Sequence, residues 1–202
     1  GMADVYAARQ LSLGREVALK VLRPDFARDN DYIQRFRREA RAAAKLNHPN
    51  IVQVYEVGSV DSIHYLVQEL IDGENLRQSL DRKGVIGTEE AIEVLVGVAS
   101  ALEVASEAGI THRDIKPENV MRSLRGLIKV ADFGLARIGT DVDATQSNLT
   151  QVGLTLGTPR YMSPEQVQGK SVDTRSDLYS LGITVYHLLA GRPPFEAEDS
   201  LA

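Results

Sequence analysis

The hydrophobic pattern of this chain turns from mostly strand-like to mostly helical at residues 71–75 ("IDGEN"), and that change limits the folds open to it. Before it, "DVYAARQ" and "REVALKVL" are β-rich runs separated by "LSLG", the pattern of a hairpin. The next stretch, "NDYIQRFRREARAAAKL", places Tyr32, Ile33, Phe36, Ala40, Ala43 and Leu46 at helical spacing, with Asn30 or Asp31 as N-cap candidate. Two further strands are predicted in "IVQVYEVG" and "IHYLVQEL". Together these predict a small antiparallel sheet with one packed helix.

After 71–75 the chain reads as mostly helical. A short helix is predicted over 76–81 and a long one over 88–107, with Glu89 and Glu90 in its first turn, where the helix dipole favours them. A turn-rich zone over 110–169 holds the short apolar pieces "NVM" and "LIKVADF". Then "DTRSDLYSLGITVYHLLAG" reads as a helix closed by Gly191 and the Pro193–Pro194 pair. The expected class is α+β: a β-rich N-terminal lobe over 1–71, a helical C-terminal lobe over 72–202, and a cleft between them as the natural ligand site.

Composition narrows the chemistry. With 43% hydrophobic residues among 202, a sizeable core is within reach, and a formal charge of -5 gives no general drive toward nucleic acid or an acidic membrane. Any phosphate binding must be local. The chain has no cysteine, which removes disulfides and thiolate metal sites and fits a reducing, cytoplasmic compartment. The four histidines, His48, His64, His112 and His187, show no metal-ligand spacing. The apolar run over 181–191 is too short to span a bilayer, and "GMADVYAAR" lacks the basic-then-apolar order of a signal peptide, so no membrane contact is expected from this segment.

One stretch is chemically dense. "ITHRDIKPENVM" crowds His112, Arg113, Asp114, Lys116, Glu118 and Asn119 into eight positions between apolar flanks. Alone, such a cluster reads as a solvated loop. Three other stretches change that reading: "VALK" ending at Lys20, Glu39 on the apolar face of the first predicted helix, and "ADFG" with Asp132.

In this order and spacing the four stretches form the protein-kinase signature, and the chain resembles the eukaryotic-type Ser/Thr protein kinases. The wording of "GMADVY", "HRDIKPENVM" and "YMSPEQ" is most similar to the bacterial members. The resemblance covers essentially the whole chain. It implies transfer of the γ-phosphate of ATP to protein Ser/Thr hydroxyls, work that consists mainly of positioning and charge neutralisation.

The resemblance also assigns roles. Lys20 would reach the α- and β-phosphates, and Glu39, a carboxylate on an apolar face, would take Lys20 as its partner. Asp114 matches the base that accepts the substrate proton, Lys116 the lysine on the transferred phosphate, and Asn119 and Asp132 the two Mg2+ ligands. Val5, Ala18 and Met121 would line the adenine pocket, with Gln68 as gatekeeper and Glu69, Leu70 and Ile71 as a hinge offering backbone hydrogen bonds. His112 and Phe133 are assigned packing, and Asp177 the anchoring of the catalytic-loop backbone. Thr150 and Thr155 are candidate sites of regulatory phosphorylation, self-inflicted or not, because a phosphate there could pair with Arg113. Thr158 is expected to bond near Asp114 and Lys116.

The chain departs from the family pattern at both ends. Aligning Val5 with the valine of the Gly-rich loop puts Ala3 where the third glycine stands, and the first two glycines and first strand are absent. The sequence also stops before the last helices of the C-terminal lobe, one of which supplies an arginine to the glutamate matching Glu165. The expectation is a fragment of a longer chain. A nucleotide-binding or interaction module without turnover, truncated or pseudokinase-like, is the alternative. A small-molecule phosphotransferase is disfavoured by the segment ending in "GTPRYMSPEQ", which resembles a peptide-substrate platform.

Overall fold

The computed structural model describes residues 2–133 and 159–195, with the side chains of Asp31, Arg35, Glu39 and Pro159 outside the description. The predicted N-terminal sheet is present and wholly antiparallel, in the order β1-β2-β4-β3, from β1 (Ala3–Gln10), β2 (Arg15–Leu22), β3 (Val54–Val60) and β4 (Ile63–Gln68). Asp61 and Ser62 turn the β3–β4 hairpin, both at positive φ (47° and 66°), the left-handed geometry a two-residue hairpin requires.

Helix α1 (Asn30–Ala43) begins at Asn30 and is shorter than its apolar period indicated. The chain leaves it through tight turns in which Lys45 bonds back to Ala42 and Leu46 to Ala43. The strand expected from Ile51 starts only at Val54. Ile51 and Val52 serve the second half of the molecule instead: Ile51 bridges Val130 in parallel, and the Val52 N–H donates to the Val130 carbonyl at 2.9 Å. Period alone could not separate these uses, because a buried apolar run looks the same beside either partner.

A second antiparallel sheet orders β5 (Gly73–Asn75), β6 (Val120–Ser123) and β7 (Ile128–Val130) as β5-β6-β7. Helix α2 (Leu76–Lys83) is entered through a capping box between Asn75 and Gln78, and runs one residue pair past the expected 76–81. Helix α3 (Thr88–Glu107) has the predicted bounds, and α4 (Pro164–Val167) is a single capped turn after Ser163. Helix α5 (Thr174–Ala190) closes on Gly191 in the left-handed region (φ 72°). A Cβ there would meet the Gly84 carbonyl oxygen at 2.8 Å, so this stop needs glycine for space as well as for dihedral.

The core is continuous. Phe36, Leu46, Ile51 and Leu66 belong to the same buried cluster as Val94, Leu102, Ile115, Val130 and Leu188. Helix α3 packs against α5 on one side and β7 on the other, so the loop between α3 and β6 lies on a rigid base. Among the described residues no helix is long and apolar enough to cross a membrane.

Candidate active site

The segment His112–Asn119 is irregular, yet nearly every polar backbone group in its first part has a side-chain partner. Asp177, in the first turn of α5, accepts the His112 N–H through Oδ2 and the Arg113 N–H through Oδ1, each at 2.7 Å. The carboxylate is almost wholly buried, and that burial raises its pKa against the opposing pull of His112, Arg113 and the two amides. The Asp114 N–H donates to His112 Nδ1 at 3.2 Å. Because the opposite ring nitrogen Nε2 lies 2.9 Å from the Ala131 carbonyl, the ring carries its proton on Nε2 and accepts on Nδ1.

Arg113 is held at φ +68° and Asp132 at φ +62°, a left-handed geometry that costs roughly 1–2 kcal/mol per non-glycine residue. Such strain persists where the surroundings over-determine it. Here they do: His112 is fully buried, its ring lies edge-on to Phe133 with centroids 4.6 Å apart, and the Ala131 N–H donates to the Asn119 carbonyl at 2.9 Å. Asp132 is thus bracketed by two residues that each touch the loop. The packing role expected for His112 and Phe133 fits this geometry.

Two side chains converge on the Asp114 carboxylate. Lys116 Nζ lies 2.7 Å from Asp114 Oδ2, and Asn119 Nδ2 donates at 2.8 Å both to that oxygen and to the Asp114 carbonyl. Lys20, buried on β2, places Nζ 2.7 Å from Asp132 Oδ1. Glu39, its expected partner, is carried by α1 with its side chain outside the description; Thr150, Thr155 and Thr158 lie outside the described residues altogether.

Strand register gathers the other candidates. Val5 pairs with Lys20, Lys20 with Leu66, and Ala18 with Gln68, so Val5, Ala18, Lys20 and Gln68 share one face of the sheet. Met121 lies on the second sheet, directly opposite Lys129. Glu69 offers less backbone than expected, because its N–H already donates to the Gln53 carbonyl at 2.8 Å, which leaves its carbonyl as the backbone group to offer. Leu70 is partly exposed and Ile71 half-buried.

Two partners escaped the sequence reading. Lys129 is buried and bonds Glu69 Oε2 at 2.7 Å and the Ile51 carbonyl at 3.3 Å, tying the segment after β4 to the strand that leads into Asp132. Gln166 of α4 donates from Nε2 to the Arg113 carbonyl at 2.8 Å. The only hint for Lys129 was a cation inside "LIKVADF"; for Gln166 there was none. Next to it, Glu165 accepts the Ser176 hydroxyl, and that bond is the main reason its carboxyl lies below the usual range.

The arrangement suits oxygen-based cation chemistry. Asn119 turns its amide nitrogen to Asp114, so Oδ1 is the end left for a cation, and Asp132 adds a carboxylate: two hard donors, too few for an all-protein cage but enough beside phosphate oxygens.

Comparison with known proteins agrees with this geometry. A family model described as "Protein kinase domain" matches residues 1–202. A probable serine/threonine-protein kinase of Streptomyces coelicolor is 49% identical over 206 positions, covering 100% of this chain and 30% of its own length. Serine/threonine-protein kinase PknB of Mycolicibacterium smegmatis is 46% identical over 206 positions, covering 100% of this chain and 32% of its own. The crystal structure of the Mycobacterium tuberculosis PknI kinase domain aligns with a TM-score of 0.75 at 34% identity, over 98% of this chain and 71% of that one. The chain therefore spans about a third of the length of these curated relatives. Sequence match, fold and relatives agree: this chain belongs to the protein kinase domain family, which uses ATP and a divalent metal.

Proposed function

We propose that this chain transfers the γ-phosphoryl group of ATP to Ser/Thr hydroxyls of proteins, in a cleft between an N-terminal lobe over 1–71 and a C-terminal lobe over 72–202. The observation that carries the reading is the single carboxylate of Asp114, held on one oxygen by both Lys116 and Asn119 and aimed by a backbone locked from α5. That carboxylate orients the acceptor hydroxyl and takes its proton as the oxygen attacks phosphorus. Lys116, already beside it, is placed to neutralise charge on the phosphoryl in flight. Lys20 serves the α- and β-phosphates, exchanging its carboxylate partner Asp132 for phosphate oxygens. Glu39 is the proposed second partner of Lys20.

Asn119 Oδ1 and the Asp132 carboxylate are the proposed ligands of Mg2+, which when bound neutralises phosphate charge and fixes the phosphate chain. Val5 and Ala18 above and Met121 below would hold the adenine ring, with Gln68 at its back and the backbone of Glu69 to Ile71 at its edge. Thr150 and Thr155 are the proposed regulatory acceptors, which makes this chain one of its own substrates.

The test is transfer of labelled γ-phosphate from Mg-ATP to dephosphorylated casein and to the chain itself, with peptide mapping. Asp114→Asn is expected to lower turnover by about 10²–10⁴-fold while ATP still binds by calorimetry. Undiminished turnover in that variant removes Asp114 as the base. ATP binding without transfer in the wild-type chain makes it the nucleotide-binding module instead.

A further inference from the structure

We infer that Gln166 is a positioning residue, linking the placement of the segment before α4 to the aim of the catalytic carboxylate. The inference deepens the proposed function and rests on Asp114 as its base.

The peptide unit joining Arg113 to Asp114 is held at both polar ends. Its N–H donates to His112 Nδ1 at 3.2 Å, and its carbonyl accepts from Gln166 Nε2 at 2.8 Å. The preceding N–H groups, of His112 and Arg113, belong to Asp177. Rotation of this peptide unit turns ψ of Arg113 and φ of Asp114, and the bond from Gln166 holds its oxygen against that rotation. A displacement of this unit carries the Asp114 Cα, and with it the side chain.

The other end of the same amide is also committed. Gln166 Oε1 accepts the Ser163 N–H at 3.1 Å, and the Ser163 hydroxyl oxygen in return accepts the Gln166 N–H at 3.4 Å. Ser163 is buried and follows Tyr161, whose carbonyl accepts the Ser180 hydroxyl at 2.7 Å and whose phenol lies 2.6 Å from His187 Nδ1. One side chain thus reaches from a turn anchored on α5 to the peptide before the base. The position demands an amide, because it must accept from an N–H and donate to a carbonyl at once. Glutamate satisfies the first bond only, and turns an acceptor oxygen toward the Arg113 carbonyl.

Backbone amide exchange by NMR, with steady-state kinetics, tests this on the wild-type chain and on Gln166→Glu and Gln166→Lys. The glutamate variant is expected to speed exchange at the Asp114 N–H by roughly tenfold, the scale of one net hydrogen bond. The His112 and Arg113 amides, held by Asp177, should keep their rates. The lysine variant restores a donor to the carbonyl and should keep Asp114 exchange slow, despite the lost Ser163 bond. In kinetics, Gln166→Glu should lower kcat by roughly tenfold with the KM for ATP little changed, because the nucleotide contacts lie elsewhere. Unchanged Asp114 exchange in Gln166→Glu overturns the inference, as does faster exchange with unchanged kcat. Failure of the base assignment is read separately: Asp114→Asn would then turn over normally while the exchange pattern in the Gln166 variants stood.

Discussion

The loop around Asp114 and the first strand hold their places by opposite means. In the loop, three successive N–H groups, of His112, Arg113 and Asp114, go to two side chains, Asp177 and His112, and the Arg113 carbonyl goes to a third, Gln166. Those partners come from α4, α5 and the loop itself, and the buried ones have no water to fall back on. Strand β1 is an edge strand held by its ladder to β2, with Val5 58% and Tyr6 54% exposed. In the proposed mechanism a carboxylate that accepts a proton must be aimed to a fraction of an ångström, whereas a surface that covers a ring needs only to be near it. The density of side-chain to backbone bonds follows that difference in demand.

Asp177→Ala is expected to cost the most. It leaves two backbone N–H groups in a buried setting without an acceptor, and should cost roughly 2–5 kcal/mol of unfolding free energy in urea. A loss well under that range would mean the loop is held by packing alone, and the contrast with β1 would lose its basis.

Two tyrosines separate the regions by pH. Burial raises the Tyr161 phenol to about 12, with Glu118 adding to the effect. The unfolded chain, titrating near the ordinary value of 10, loses its proton first. Stability carried by the buried neutral phenol is therefore complete below that ordinary value and is lost as pH rises through the folded one. Two units correspond to roughly 3 kcal/mol at most, and Tyr161→Phe should remove this alkaline slope in urea unfolding between about pH 9 and about pH 12. On the N-terminal sheet, Tyr65 is also raised, mainly by its hydrogen bond to Glu56, yet it lies toward solvent. Tyr65→Phe should leave the slope nearly as it was; equal effects from both would erase the distinction between the regions.

The smallest expected effect is Val5→Ala, within about 0.5 kcal/mol of wild-type stability, as for other exposed side chains. Its KM for ATP should rise a few-fold. A stability loss comparable to that of Asp177→Ala would show that β1 is held more tightly than its exposure indicates.

Much of this molecule is legible in its sequence. The antiparallel sheet, the long helix over 88–107 and the stop at Gly191 follow from period, capping and turn chemistry, which act between neighbours in sequence. Asp114, Lys116 and Asn119, which meet, and Lys20 and Asp132, which pair, were legible through the resemblance to the protein kinases, whose motifs put those residue types in one stretch or at the end of one strand. The fate of Ile51 and Val52 was not, since an apolar pair can serve either sheet until the second one exists.

Most of the elements were written in the sequence, because propensity and period are local properties, and so was the family, because its motifs are short stretches of residue types. Only the tertiary structure decided who holds whom across distance: Lys129 on Glu69, 60 residues apart; Gln166 on Arg113, 53 apart; Asp177 on Arg113, 64 apart. Glu, Gln, Lys and Asp are ordinary surface residues until folding removes water from around them. A buried backbone group then has to be matched by whatever polar side chain the packing brings within reach.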